Sequence, residues 1–183
     1  MKSDVSARHA SAEHRPIRDP EPLTLGNISA LDVGRALLRE NAGATLVANL
    51  TRRLASQRDP AVARAAALTQ RALDALAATV SEWATSEPAE RDVRMRRLTR
   101  RLAHVVTAAL LVEDAGAQAA EGGGYRCLVM AARYLRRYVY PSPDDLASAG
   151  DYTPLDAFDA LVDWMPALPA EAAEQLLATL AAN

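Results

Sequence analysis

Along residues 60–112 the apolar positions recur in alternating steps of three and four. Val62, Ala66, Thr69, Leu73, Leu76, Val80 and Trp83 fall on one stripe of a helix, and Met95, Leu98, Leu102, Val105, Ala109 and Val112 repeat the arrangement further on. Stripes of this kind persist in water only when buried against a neighbour. Asp59-Pro60 predicts the start of the first stripe's helix, because aspartate can cap free amides and proline at the first helical position sacrifices no hydrogen bond. Ser86 followed by Glu87-Pro88 opens the second, whose pattern weakens at Gly116. The two helices are predicted to pair antiparallel.

Flanking patterns extend the bundle. An earlier helix is expected to start after Ser29, where Asp32 three residues on gives an acidic form of the capping box, and to run to about residue 56. A kink or break is expected in it at Asn41-Ala42-Gly43. The run Gly122-Gly123-Gly124 is the sharpest helix breaker in the chain and predicts a tight turn. After it, Leu128, Ala132, Leu135 and Val139 share one side of a helix over about 125–139, stopped by Pro141 and Pro143. Short helices are expected beyond, starting at Ser142-Pro143, Thr153-Pro154 and Pro169, with Phe158, Leu161, Trp164, Leu176, Leu177 and Leu180 as anchors. Residues 1–27 show no apolar period and carry Pro16, Pro20 and Pro22, which predicts a flexible N-terminal tail. The expected fold is therefore all-α: a helical bundle of about four main helices with short C-terminal helices, in a single domain over 28–183.

Composition agrees with that reading. Half of the 183 residues are apolar, dominated by Ala and Leu, with few β-branched or aromatic residues, a balance that favours helix over sheet. The lone cysteine, Cys127, excludes an internal disulfide and a Cys-rich zinc site and reads as a small buried hydrophobe in a reducing compartment. No secretory leader and no apolar run of membrane-spanning length is visible, so a cytoplasmic protein without membrane contact is expected.

Charge is divided along the chain. Residues 142–183 hold eight acidic and no basic residues, while the first 141 hold 21 basic and 15 acidic ones. The basic residues concentrate at Arg91, Arg94, Arg96, Arg97, Arg100 and Arg101 and again at Arg126, Arg133, Arg136 and Arg137. Guanidinium groups pair with phosphate oxygens, so Arg94, Arg96, Arg97, Arg100, Arg101 and Arg126 are candidate anion-binding residues, for a nucleic acid or a smaller anion. The plain alternative is a solvated surface or one paired internally with the acidic C-terminal part.

Catalytic chemistry finds little support. His9 and His14 lie in the predicted tail, and His104 has no Cys or Ser nucleophile placed nearby, so a structural role is favoured for it. Asp156, Asp159 and Asp163 at helical spacing read as a solvated face. No HExxH pair, GxxxxGK[ST] loop or GxSxG elbow occurs. Tyr125, Tyr134, Trp83 and His104 are the candidate lining of a small-molecule pocket inside the bundle. The glycine run supports two readings: a cradle for an anion at the start of the following helix, or a plain helix-helix turn.

Residues 98–141, LTRRLAHVVTAALLVEDAGAQAAEGGGYRCLVMAARYLRRYVYP, resemble the C-terminal helical domain of the acyl-CoA dehydrogenase family, including its AidB-like branch. That family often carries Gln, two residues, then Gly-Gly-x-Gly-Tyr between two bundle helices. Here Gln118 is followed by Ala119, Ala120, Glu121, Gly122, Gly123, Gly124 and Tyr125, with Glu121 standing where the first glycine belongs. The resemblance implies a flavin-proximal, cofactor-binding role for Gln118, Gly122, Gly123, Gly124 and Tyr125 across a subunit interface. The family's N-terminal helical and middle β-domains have no room in 183 residues, and its catalytic glutamate segment has no counterpart before Pro141. The implied protein is a lone C-terminal domain with no cofactor of its own, meeting FAD only in a complex. The expected function is a non-catalytic bundle acting through protein-protein contacts with a partner or as a homo-oligomer, as an accessory subunit of an acyl-CoA dehydrogenase-like flavoenzyme. The alternatives are a nucleic-acid or anion-binding module using the arginine cluster, and a small-molecule-binding or enzymatic pocket.

Overall fold

A computed structural model describes residues 23–141 and 168–181. Its elements are α1 (Leu23–Arg39), α2 (Ala42–Ala55), α3 (Pro60–Thr85), α4 (Pro88–Ala120), α5 (Arg126–Tyr134), continued by a π-helical turn (Leu135–Val139), and α6 (Ala170–Ala181). No strand occurs among the described residues, and the long helices pack on one another as an all-α bundle. The predicted tail up to residue 22, the starts at Ser142-Pro143 and Thr153-Pro154, and the anchors Phe158, Leu161 and Trp164 lie outside the described residues.

The α3 and α4 stripes form the centre of the core. Val62, Ala66, Thr69, Leu73, Leu76 and Trp83 of α3 are buried with Met95, Leu98, Val105, Ala109 and Val112 of α4, while Val80 and Leu102 are partly covered. Thr69 is the polar member of this stripe, and its hydroxyl donates to Ala65 O at 2.8 Å, which satisfies it inside the helix. Removing one of the fully buried leucines, such as Leu73, would forfeit burial and leave a cavity, at a cost of about 2–5 kcal/mol. The short linker makes the pair antiparallel: Trp83 Nε1 donates to Arg91 O at 3.0 Å at one end. At the other end Tyr125, just past α4, reaches Asp59 at the start of α3.

Two boundaries show how local chemistry sets the elements. Asp59 Oδ1 accepts from Ala61 N at 2.9 Å and Val62 N at 3.1 Å, the cap expected ahead of Pro60. Asn41, at φ 51°, occupies the left-handed region that asparagine tolerates better than most residues, and with Glu40 it turns α1 into α2. The helix before it starts at Leu23 rather than after Ser29: once Ala30 is seated in the core, each added turn costs little and gains a hydrogen bond. Likewise α4 continues through Gly116 to Ala120, because the weak point is supported by packing on both sides. A Cβ at Gly116 would collide with Gln57 Oε1, so the glycine is where the segment after α2 comes close to α4.

α5 lies along α4 and ends in the π turn, closed by Tyr140 N donating to Leu135 O at 2.8 Å. Tyr140 then donates its hydroxyl to Leu68 O at 2.8 Å, tying the end of this segment to the middle of α3. α6 begins after Pro169, as expected, and buries Ala173, Leu177 and Leu180 against α3 and α5.

Candidate functional site

The helices leave the molecule with two ends of different character. At the turn end, polar groups are matched one to another. Gly122 and Gly124 have φ of 71° and 78°, the left-handed backbone that a side chain would oppose, and they let the chain reverse between α4 and α5. Gln118 serves both sides of this turn: its carbonyl accepts from Gly123 N at 2.9 Å, and its Oε1 accepts from Cys127 N at 2.9 Å, one of the free amides at the start of α5. Tyr125 donates its hydroxyl to Asp59 Oδ2 at 2.8 Å, and its amide donates to Leu168 O at 3.0 Å. The bond to Asp59, with burial and nearby carboxylates, raises the Tyr125 phenol above its ordinary pKa. Arg53 of α2 joins Glu113 of α4 in a two-point ion pair, Nε to Oε1 at 3.0 Å. Gln118, Gly122, Gly123, Gly124 and Tyr125, the residues implied by the flavoenzyme resemblance, thus all stand in one place, and their polar contacts there hold this turn.

Among the hollows at the opposite end, two grooves flank the C-terminal half of α3. The larger, of about 530 Å³, is walled by Asn41, Gly43, Ala44, Val47 and Ala48 of the α1–α2 corner and by Ala77, Ser81 and Ala84 of α3. Leu73, Leu76, Val80 and Leu102 lie within it, so it reaches down to core leucines. Its lining includes no charged residue. Sequence reasoning passed over this groove because its walls are small residues on helix faces that look unremarkable singly. The available signal was the cluster of Gly43, Ala44 and Ala48 immediately after a predicted break.

The smaller groove, of about 240 Å³, runs between α3 and α4 and is lined by Thr79, Glu82, Trp83, Arg94, Arg97, Leu98 and Arg101. Of the candidate anion-binding residues, the structure brings Arg94, Arg97 and Arg101 together here. Arg94 is engaged with Glu82 at 3.5 Å and Glu90 at 3.3 Å, whereas Arg97 and Arg101 make no ion pair among the described residues. Arg96 and Arg100 are exposed on α4 but line neither groove. Arg126 is only 4% exposed, so it does not share a surface with the others. Arg133 is half-buried on α5, and its Nε and Nη2 find no hydrogen-bond partner among the described residues.

Of the aromatic set expected to line a small-molecule pocket, His104 and Tyr134 meet, while Trp83 and Tyr125 stand far apart. Trp83 sits near the C-terminus of α3 and Tyr125 beside its N-terminus, about 36 Å away at 1.5 Å per residue. His104 Nδ1 lies 2.9 Å from the Tyr134 hydroxyl, and its ring stacks on Tyr138, which is 49% exposed, at 4.9 Å. Burial raises the pKa of the Cys127 thiol, which works against thiolate chemistry. Among the described residues no group of three or more His, Cys, Asp or Glu is placed to hold a metal, and no helix is long and apolar enough to cross a membrane. No protein-family model, curated protein or solved structure matches the chain.

Proposed function

We propose that the protein is a non-catalytic binding module whose larger groove receives the apolar face of an amphipathic helix from a partner protein. The observation that carries this reading is the lining: small walls, a leucine and valine floor, and no charge. The α3 wall from Leu73 to Ala84 is about 16 Å long at 1.5 Å per residue, some three turns of a docked helix. Gly43, Ala44, Ala48 and Ala77 let a helix backbone approach closely, and the leucine floor accepts side chains at i, i+3 or i+4, and i+7. A small molecule would find only Asn41 and Ser81 to orient it, fewer polar groups than such ligands commonly use.

Affinity capture from the cells that make the protein, with the wild type and an Ala44→Glu, Ala48→Glu double variant side by side, tests this. Both alanines are exposed, so the variant keeps its fold, which circular dichroism checks. A protein held by the wild type and lost by the variant is the expected result; an identical set held by both contradicts the docking role. The accessory-subunit form of the proposal rests on the glycine-turn resemblance, and it expects the lost protein to carry a yellow flavin. Self-association abolished by the same variant would instead make the occupant a second copy of the chain.

A further inference from the structure

We propose that the smaller groove, between α3 and α4, is a binding site for a compact ligand carrying two adjacent phosphates. Arg97 and Arg101 are one helical turn apart on the same face of α4, and both line this groove without an ionic partner among the described residues. Like charges at that spacing repel along a helix, so the pair is held at a cost that a bound anion would remove. Each guanidinium offers a planar fork of N–H donors suited to phosphate oxygens, and two forks on successive turns match two linked phosphates better than one.

Other groups around the groove narrow the chemistry. Trp83 spends its N–H on Arg91 O, and the Thr79 hydroxyl donates to Ala75 O at 2.8 Å, so both serve as wall. The donors left facing the groove are guanidinium groups, and recognition is by charge. On the facing helix, Glu82 pairs with Arg94. A bound anion must work against that carboxylate, which sets Glu82 as an antagonist of binding. The volume of about 240 Å³ falls below the roughly 300–1,000 Å³ of ordinary ligand pockets, so it fits a headgroup. An extended polyanion is disfavoured because Glu82 and Glu90 interrupt the basic surface, and Arg96 and Arg100 stand outside the groove.

Calorimetric titration of the full chain with sodium pyrophosphate at low ionic strength is the test, with orthophosphate and a single-stranded oligonucleotide as parallel arms. Pyrophosphate should bind at least about tenfold more tightly than orthophosphate and weaken as salt is raised. The Arg97→Ala, Arg101→Ala double variant should lose at least about tenfold in affinity, and Glu82→Gln should gain several-fold. No heat with pyrophosphate, equal affinity for pyrophosphate and orthophosphate, or unchanged binding by the double variant would each overturn the site. Binding of the oligonucleotide in place of pyrophosphate would overturn it in favour of a nucleic-acid surface.

Discussion

The turn end and the groove end of the bundle use similar residue types in opposite ways. At the turn end Tyr125 is joined to Asp59 and Arg53 to Glu113, and Gln118 accepts from the Gly123 and Cys127 amides, so polar groups are satisfied across four segments of chain. At the groove end Arg97 and Arg101 have no ionic partner among the described residues, and core leucines line an open groove. A polar group whose bonds are completed internally contributes to folding, and one left incomplete is available for something else. The comparison moves attention away from the glycine turn, the most conspicuous feature of the sequence, and toward the two sides of α3.

If that division holds, the largest loss of stability comes at the turn end. Asp59→Ala removes the cap of α3 and the acceptor for Tyr125 together, and urea unfolding should show a loss of about 2 kcal/mol. Gly122→Ala should cost about 1 kcal/mol, because φ of 71° opposes a Cβ even though the space around it is open, while Gly122→Asn should cost less. Arg133→Met, between the two ends, sharpens the boundary. Removing a guanidinium with buried, unpartnered nitrogens should stabilise the protein by about 1 kcal/mol, and a loss instead would place Arg133 among the structural residues. The smallest effect belongs to the groove end: Arg97→Ala and Arg101→Ala should each stay within about 0.5 kcal/mol of the wild type, and a larger loss would erase the distinction.

What the amino-acid order revealed follows the range of the interactions. The stripes of α3 and α4, the Asp59-Pro60 cap, the break near Asn41 and the Pro169 start all depend on neighbours within a few residues, and they are readable directly. α1 begins before the local signal of Ser29 and Asp32 because a helix already anchored at Ala30 extends at little cost. The partnership of Tyr125 with Asp59, or of Arg53 with Glu113, joins positions 60 or more residues apart and has no local signature. For the arginines, helical spacing sets Arg94, Arg97 and Arg101 on one face of α4 and Arg96 and Arg100 on another, but only the position of α3 decides which face borders a groove. The larger groove was invisible for a related reason: a concavity is made by what neighbouring helices leave unfilled.

The most direct test of the central claim compares the two ends in one experiment. A photo-crosslinking amino acid placed at Ala48, beside the larger groove, or at Ala120, beside the glycine turn, reports which end meets a partner in the living cell. Both positions are exposed, so either probe is accommodated. The account predicts a crosslinked partner helix from Ala48 and none from Ala120; crosslinks from Ala120 alone would contradict it and return the function to the glycine turn.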